Sequence, residues 1–589
     1  MFGRVKPGVT REQAAGDVDR ICSRFTHENP TAYRPGSGFM ATTPGVRDEL
    51  TRDARPMLLI LLGTTALVLL IACANVANLT LARVLRRQRE MAVRAALGAS
   101  RARLARQLLT ESTLLSLAGG AFGLLFAAST VGLLTSFVGR FTTRTGEIAI
   151  DPWVLAFAIA ISLVTGVAFG TFPALASRVE LATSMKQGSK GAGGSAVRGR
   201  LQNALIVAQV AVSVVLLAGA GLLLASLYRL QRVDAGYRSD RVLSAEVFTN
   251  FSKYPTADTQ IRFYLPLLDR LQSQPGVVSA AITNAVPLRT LQPGSTPFEI
   301  EGRTTDDPDK RPTADTRIVS PDYFPTLGIP LVQGRGFTDA DGREAARAVI
   351  VNKSMMRYWG ASSPVGSRIS FDRGETWATV VGVVGDVKQF GLARDAVAQV
   401  YTPLRQTTTG LGGLVLVRTA GDPLSAAAMI REAVHTVDPN MPVENVRTVE
   451  EIRDRYLAAP RLTAMLLSVF AALAMLVTMT GITGVLATSV SQRTQEFGVR
   501  MALGATRDRV LAMVIGRGLT LVAGGLLIGI GASLALTRVL AAYLFETTPT
   551  DPWTFAAVMV SFVAAGVVAC AGPAWRATTV DPMIALRSE

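Results

Sequence analysis

Seven apolar runs, each about as long as a membrane-crossing helix, interrupt an otherwise polar chain. About 20 apolar residues are needed to cross the hydrocarbon core of a bilayer. The runs are Met57–Leu81, Leu108–Val138, Trp153–Leu175, Leu205–Leu227, Ala464–Val490, Val510–Leu536 and Trp553–Ala571. This pattern predicts a multi-span α-helical membrane protein with about seven transmembrane helices.

Between the fourth and fifth runs lies a long polar segment with the pattern of a mixed α/β domain. Runs rich in Val and Ile and bounded by Gly, Pro or Asp predict strands that begin at Val242, Ala348, Ala378 and Gly413. Apolar residues at helical spacing predict helices over Ala257–Gln274, Lys353–Trp359 and Pro423–Thr436. The chain therefore combines its membrane spans with a large water-exposed domain.

The N-terminal segment has the pattern of a fragment of a second such domain. Val5–Phe25 and Val417–Val437 both show a strand end, a Gly-containing turn and a helix, and each is followed by a membrane span. We expect the natural reading frame to extend upstream of Met1. The extension would encode one more span and the rest of a first external domain, giving eight spans.

A motif occurs twice, each time between two apolar runs. QREMAVRAALGASRAR at Gln88–Arg103 returns as TQEFGVRMALGATRDR at Thr494–Arg509, so one architectural unit has been used twice. In each copy a Glu and an Arg are spaced i, i+4, which allows an ion pair on one helix face. The shared positions are Glu90 and Glu496, Val93 and Val499, Arg94 and Arg500, Leu97 and Leu503, and Gly98 and Gly504.

The repeat continues into the spans that follow the motif. Gly119 and Gly123 correspond to Gly525 and Gly529, and this spacing lets helix backbones approach closely in lipid. Mere helix packing, common to membrane glycines, is an equally good interpretation of these pairs. The tripeptide DPW then opens the last span of each half, at Asp151–Trp153 and Asp551–Trp553.

Basic residues indicate the orientation, because Lys and Arg in short loops are retained on the cytoplasmic side. The loop after the first run is rich in Arg, and the loops after the third and fifth runs are also basic and fall on the same side when the spans alternate. These loops and the C-terminus are therefore predicted to be cytoplasmic. The N-terminus and the large domain are predicted to lie outside.

Composition agrees with this division of the chain. The chain is 49% hydrophobic and 18% charged, with a formal net charge of +16. Residues 229–460, however, carry 27 Lys and Arg against 26 Asp and Glu, so the basic excess belongs to the membrane-flanking parts. This argues against nucleic acid as a partner and favours anionic lipid headgroups.

These motifs resemble those of the MacB-type and FtsX-like ABC permeases, in the duplicated form that has two permease halves. The resemblance also covers SPDYFPTLGIPLVQGR at Ser320–Arg335 and VVGVVGDV at Val380–Val387. The second motif copy departs from it by opening with Thr494. The resemblance implies a bacterial inner-membrane permease with a MacB-like periplasmic core domain. It also implies that Glu90–Arg106 and Glu496–Val510 are coupling helices that dock on a cytoplasmic ABC ATPase dimer.

The same resemblance gives an expected division of the chain. The expected parts are a remnant of a first extracytoplasmic domain (1–54), a three-span permease domain (55–180), a cytoplasmic linker (181–204), a fourth transmembrane helix (205–228), a periplasmic core domain (229–460) and a second three-span permease domain (461–589).

The expected function is that of a permease subunit in an export or mechanotransmission system. The chain lacks a G-x-x-x-x-G-K-[ST] loop, since GSKGAGG at Gly188–Gly194 has no Lys-Ser/Thr ending. We therefore expect no cofactor on this chain, with ATP used by a partner subunit. A periplasmic adaptor or outer-membrane component is a further candidate partner. Lipid-linked cargo, a peptide and a hydrophobic toxin fit equally well as substrates.

Two other classes of function remain open. An FtsX-like regulator would control an external enzyme and move no solute. A membrane-anchored enzyme is disfavoured, because the sequence has no Ser/His/Asp set, no metal-ligand spacing among Cys22, Cys73 and Cys570, and only two histidines, His27 and His435. Solvated charges that merely obey the positive-inside rule are the alternative interpretation of the repeated motif.

The predicted orientation can be tested with cysteines in an otherwise cysteine-free variant. After permeabilisation of the outer membrane, Ser354→Cys should react with an impermeant thiol reagent, and Ser491→Cys should not. Labelling of both variants, or of the Ser491 variant alone, would overturn the assignment.

Overall fold

The computed structural model describes most of the chain. The described residues are 3–28, 43–46, 48, 54–86, 101–138, 150–184, 193–250, 252–289, 294, 296–303, 311–408, 413–492, 494–503, 506–541 and 544–578.

Seven long helices coincide with the seven predicted apolar runs. The twelve helices among the described residues are α1 (Arg11–Glu28), α2 (Ala54–Arg86), α3 (Arg101–Val138), α4 (Pro152–Ser184), α5 (Gly193–Gln231), α6 (Ala257–Gln272), α7 (Tyr323–Leu327), α8 (Ala426–Val437), α9 (Val449–Gln492), α10 (Thr494–Ala502), α11 (Arg507–Leu540) and α12 (Pro552–Thr578). Six of them, α2, α3, α5, α9, α11 and α12, are long and apolar enough to cross a membrane. In α4 the described apolar part, Pro152–Ala168, is shorter than in these six helices and has 17 residues.

Two helices extend into the predicted cytoplasmic linker 181–204. Helix α4 continues to Ser184, and α5 already begins at Gly193. Residues 185–192, which include most of GSKGAGG, lie outside the described part of the chain. Helices extend past their apolar runs because each added residue closes one more backbone hydrogen bond once the helix is nucleated.

The predicted strands and helices of the large domain are largely confirmed. Its strands are β1 (Val242–Glu246), β2 (Val277–Thr283), β3 (Thr296–Pro297), β4 (Glu299–Ile300), β5 (Thr313–Val319), β6 (Leu331–Gly334), β7 (Ala348–Asn352), β8 (Arg368–Ser370), β9 (Ala378–Val384), β10 (Gln399–Pro403), β11 (Leu414–Thr419) and β12 (Glu444–Thr448). The segment Lys353–Tyr358, predicted as a helix, forms a 3₁₀ helix, and a 3₁₀ turn at Pro423–Ser425 precedes α8.

All twelve strands belong to one mixed sheet. The strand order is β12-β1-β11-β2-β5-β10-β7-β9-β8-β4, with β3 beside β5 and β6 beside β9. Among the described residues, only the pairs β5–β10 and β7–β9 are parallel. Helices α6 and α8 pack their apolar faces on one side of the sheet, through Phe263, Leu267 and Ile430. Helix α7 covers the other side with Tyr323 and Phe324.

A polar seam joins the first half of the chain to the second inside the helical bundle. The Asn75 Nδ2 of α2 donates to the Thr480 Oγ1 of α9 over 3.2 Å, and the Gln209 Nε2 of α5 donates to the Ile71 carbonyl oxygen over 3.1 Å. The hydroxyls of Ser213 and Thr478 lie 2.8 Å apart. Hydrogen bonds between membrane helices contribute roughly 0.6 kcal/mol each on average.

Close packing in the seam depends on Gly481. A Cβ atom at this position would lie 3.0 Å from both the Asn75 Oδ1 and the Gln209 Oε1. A side chain here would therefore force the two amide groups to shift by a few tenths of an ångström. The apolar surroundings include Ile71, Ala471 and Ala474.

The two glycine pairs of the repeat have different surroundings. A Cβ on Gly525 would lie 2.5 Å from the Cβ of Val210, and one on Gly529 would lie 2.7 Å from the Cβ of Val214. Helix α5 thus lies directly in the groove that these glycines form on α11. At Gly119 and Gly123 no atom of the described residues comes within 4 Å of the corresponding position. The structure therefore does not bring this pair against another helix.

This difference predicts unequal effects of the same substitution. Gly525→Ala and Gly529→Ala should each lower the thermal unfolding midpoint of the chain in detergent, since overpacking costs roughly 1–3 kcal/mol. Gly119→Ala and Gly123→Ala are the matched controls and should leave the midpoint unchanged or slightly raised. Equal losses in both pairs would show that α3 and α11 have equivalent neighbours.

Candidate functional site

The second copy of the repeated motif forms helix α10, which is nine residues long and lies between two membrane-spanning helices. A single residue separates it from α9, and four residues separate its end from α11. The N–H of Leu503 donates to the Val499 carbonyl oxygen over 3.0 Å and extends the helical bonding past Ala502. The motif is thus held at the end of the bundle by two long helices.

An ion pair stiffens α10, as its spacing predicts. The Arg500 Nη2 lies 2.6 Å from the Glu496 Oε1, one helical turn away. Both side chains are 43% exposed, so the pair contributes only roughly 0.3–0.5 kcal/mol. The Arg500 Nη1 also lies 3.1 Å from the Met513 Sδ of α11. The pair therefore holds the two charged side chains in place on the helix surface and adds little to the stability of the fold.

Phe497 anchors α10 to the bundle. Its side chain is 4% exposed and packs with Val490 of α9, Val510 and Val514 of α11 and Ala574 of α12. Three long helices thus contribute to one small apolar cluster beneath α10. Phe497 could not be predicted from the repeat, because the first copy has Met91 at this position and the two residues are not identical.

Two apolar side chains of the motif face away from this cluster. Val499 is 39% exposed and Leu503 is 83% exposed. Buried Phe497 and exposed Leu503 give α10 one face toward the bundle and another that is free within the described chain. Gly504 lies outside the described residues.

Most of the first copy of the motif lies outside the described residues. Residues 87–100 lie outside the described part of the chain, and they include Glu90, Val93, Arg94, Leu97 and Gly98. The described helices α2 and α3 end and begin on either side of this segment, at Arg86 and Arg101.

The repeated DPW tripeptide starts the last helix of each half. The Val154 N–H donates to the Asp151 Oδ1 over 2.8 Å, and the Thr554 N–H donates to the Asp551 Oδ2 over 3.0 Å. Each Asp is thus an N-cap followed by Pro at the first helical position. A backbone N–H at that position has no partner within the helix, so proline loses nothing there. Hydrogen bonds from the Thr554 side chain and backbone lower the pKa of the Asp551 carboxyl, and Arg229 adds to the effect.

The end of α5 and the start of α9 connect the large domain to the bundle and are called the stalk helices here. Side-chain contacts hold them together where they meet the bundle. The Arg453 Nη2 of α9 donates to the Gln231 carbonyl oxygen at the end of α5 over 2.8 Å. The Arg229 Nη2 lies 3.3 Å from the Asp551 Oδ1. Leu230 and Leu457 pack beside these contacts with Phe545 of the loop between α11 and α12. The two helices that lead into and out of the domain are therefore joined to each other and to α12.

Two family models cover most of the chain. The FtsX-like permease C-terminal model matches residues 63–179 and again 468–582, and the MacB-like periplasmic core domain model matches residues 204–434. Two copies of one permease unit around a periplasmic core domain define a membrane-bound transporter component. The chain belongs to the MacB/FtsX-like ABC transporter permeases.

Curated relatives match about half of the chain. The macrolide export ATP-binding/permease protein MacB of Bartonella quintana (strain Toulouse) is 28% identical over 285 residues, which are 46% of this chain and 42% of the relative. The pyoverdine export ATP-binding/permease protein PvdT of Pseudomonas syringae pv. syringae (strain B728a) is 28% identical over 45% of this chain and 42% of its own. The ABC transporter permease YknZ of Bacillus subtilis (strain 168) is 26% identical over 45% of this chain and 68% of its own. The chain thus spans about two fifths of the first two relatives.

Solved structures of two extracytoplasmic domains are also similar to part of the chain. The periplasmic region of MacB from Actinobacillus actinomycetemcomitans has 14% identity and a TM-score of 0.27, and it covers 38% of this chain and 96% of its own. The extracellular domain of the ABC-type transporter YknZ from Gram-positive bacteria has 18% identity and a TM-score of 0.24, and it covers 35% of this chain and 100% of its own.

The buried position of Phe497 predicts that this residue holds α10 in place. Phe497→Ala should speed amide hydrogen exchange in residues 494–502 at least tenfold, because each loss of about 1.4 kcal/mol changes an equilibrium tenfold. Leu503→Ala is the control and should leave exchange unchanged, since this side chain is 83% exposed in the described part of the chain. Unchanged exchange in the Phe497 variant would mean that α10 is held by its flanking helices alone.

Proposed function

We propose that this chain is the permease subunit of an ABC-type export or mechanotransmission system. In this function a separate cytoplasmic ATPase binds the two motif copies, and its ATP-driven closure moves the large domain on the other side of the membrane. The chain itself binds no nucleotide in this scheme.

The continuity of α9 is the observation that supports this function most directly. The helix begins at Val449, immediately after strand β12 of the large domain, and runs without a break to Gln492. Only one residue separates its end from α10. A displacement of α10 therefore reaches the edge strand β12 through a single helix rather than through loops.

The neighbours of α9 determine which parts move with it. The hydrogen bond from Arg453 connects α9 to the end of α5, the other stalk helix. Helix α5 leads to β1 of the same sheet. The polar seam connects α2, which leads toward the first motif copy. Motions that start at either motif copy can therefore converge on the base of the large domain.

The exposed apolar surface of α10 supports its role as the docking element. Val499 and Leu503 present apolar surface beside the Glu496–Arg500 pair, a combination typical of protein interfaces in which an apolar anchor is surrounded by charge. In the first copy, Leu97 and Val93 occupy the same sequence positions. We propose that each copy contacts one ATPase subunit of a dimer.

Removal of the exposed Leu503 together with its sequence counterpart Leu97 should weaken ATPase binding. In the variant Leu97→Ala/Leu503→Ala, recovery of an ABC ATPase with the chain from native membranes should fall, because truncation of an interface anchor costs roughly 1–2 kcal/mol, or about fivefold to thirtyfold in affinity. The recovered ATPase is quantified by mass spectrometry. Leu424→Ala, in an exposed residue of the large domain, is the control and should not change the recovery.

Two results would contradict the proposal. One is that no ABC ATPase is recovered with the wild-type chain under conditions that preserve membrane complexes. The other is that the double variant and the wild-type chain recover equal amounts.

A further inference from the structure

A pocket of about 420 Å³ lies at the base of the large domain, where α9 begins. Ligand sites in proteins commonly have volumes of roughly 300–1,000 Å³. One part of the wall is cationic and consists of Arg289, Arg447 and Arg455. The other part is apolar and consists of Leu288, Ile452 and Tyr456. The pocket is therefore amphipathic.

The positive charge of this pocket is only partly compensated. Burial lowers the pKa of the Arg289 guanidinium and the charge of Arg447 lowers it further, so the two cations disfavour each other. Burial and the charge of Arg455 likewise lower the pKa of the Arg447 guanidinium. Arg289 forms an ion pair with the buried carboxylate of Glu246. No acidic residue is part of the pocket wall.

A further carboxylate that acts on the pocket already has a structural role. Glu451 lies close enough to raise the pKa of Arg447, but its Oε2 accepts the Thr448 N–H at the start of α9 over 3.2 Å. The side chain of Arg289 is 33% exposed, and Arg455 is exposed. The guanidinium groups are therefore accessible to a molecule that enters the pocket.

The backbone of the pocket wall is strained. Five described residues other than glycine have positive φ, and two of them, Leu288 at 63° and Asn445 at 47°, line this pocket. The Leu288 N–H is fixed by a bond to the Gln389 carbonyl oxygen over 2.8 Å, and the Asn445 Oδ1 accepts from the Arg447 Nη2 over 3.2 Å. Strained backbone of this kind is concentrated at ligand sites.

The pocket is also close to the bilayer. Tyr456 precedes the apolar run of α9, which begins at Ala464, by eight residues, or about 12 Å along a helix. The headgroup layer adds roughly 5–8 Å to each side of the hydrocarbon core. Tyr456 therefore lies only a few ångströms beyond the headgroup layer, so an amphipathic molecule at the outer surface of the membrane can enter the pocket with its headgroup.

We propose that this pocket binds the oxyanion headgroup of an amphipathic molecule. The three arginines hold its phosphate or carboxylate, because the planar guanidinium group donates two parallel hydrogen bonds to such groups. The apolar wall contacts the adjoining hydrocarbon part. This binding does not depend on an ATPase partner, so it can fail or succeed independently of the function proposed above.

The test uses the full chain, purified in a neutral detergent. Calorimetric titrations measure the binding of short-chain phosphatidylglycerol, short-chain phosphatidylcholine and inorganic phosphate. We expect phosphatidylglycerol to bind more tightly than phosphatidylcholine. We also expect the variant Arg447→Gln/Arg455→Gln to weaken this binding at least tenfold. The variant Arg262→Gln/Arg431→Gln removes two exposed charges from α6 and α8 and should stay within twofold of the wild-type chain.

Comparison of the three ligands identifies whether the bound anion belongs to a lipid or to a soluble molecule. Competition by inorganic phosphate with bound phosphatidylglycerol supports a lipid headgroup, whereas tight phosphate binding without lipid preference supports a soluble anion. Arg447→Lys/Arg455→Lys keeps the charge without the paired donors and should bind with intermediate affinity, while circular dichroism verifies that each variant is folded. The proposal is overturned if the wild-type chain binds neither anion, if the double Gln variant binds like the wild-type chain, or if the control variant loses as much affinity.

Discussion

Polar side chains placed inside apolar helices determine how the two halves of this permease fit together. Within a bilayer, water does not satisfy buried polar groups, so they must find partners in the protein. The amide nitrogens of Asn75 and Gln209 and the hydroxyls of Ser213 and Thr478 find them across α2, α5 and α9. The Asn75 Oδ1 and the Gln209 Oε1 are buried without a hydrogen-bond partner among the described residues. Leucine packing alone would allow these helices to slide, since lipid tails are equally apolar. The seam therefore sets the register in which the first half meets the second.

Sequence duplication has not produced structural equivalence. Helix α11 accommodates α5 against Gly525 and Gly529, and no helix among the described residues fills the corresponding groove of α3. Instead, α3 and α4 approach each other closely at Gly166, where a Cβ would lie 2.9 Å from the Cα of Thr113. Small residues thus allow close packing in both halves, but Gly166 corresponds to neither Gly525 nor Gly529 in the repeat. Which helix uses them is decided by the neighbours that each half has.

Local chemistry could be predicted from the sequence, and contacts between distant segments could not. The spans and the strands of the large domain follow from hydrophobic runs, and the Glu496–Arg500 pair follows from its spacing. The amides of the seam were visible as polar residues within apolar runs, which is a readable signal of interhelical contact. Burial of Phe497 depends on residues of three helices. The convergence of Arg289 with Arg447 depends on strand pairing across more than 150 residues.

The length of α9 sets the scale of any motion that it transmits. A helix of 44 residues is about 66 Å long. A tilt of about 10° around its motif end then moves its domain end by about 11 Å, given that length. Small angular adjustments, which bilayers tolerate at modest cost, are thus amplified into displacements as large as the diameter of a helix. In the proposed function α9 acts as a lever, and its stiffness near Pro460 would govern how much of the displacement reaches the large domain.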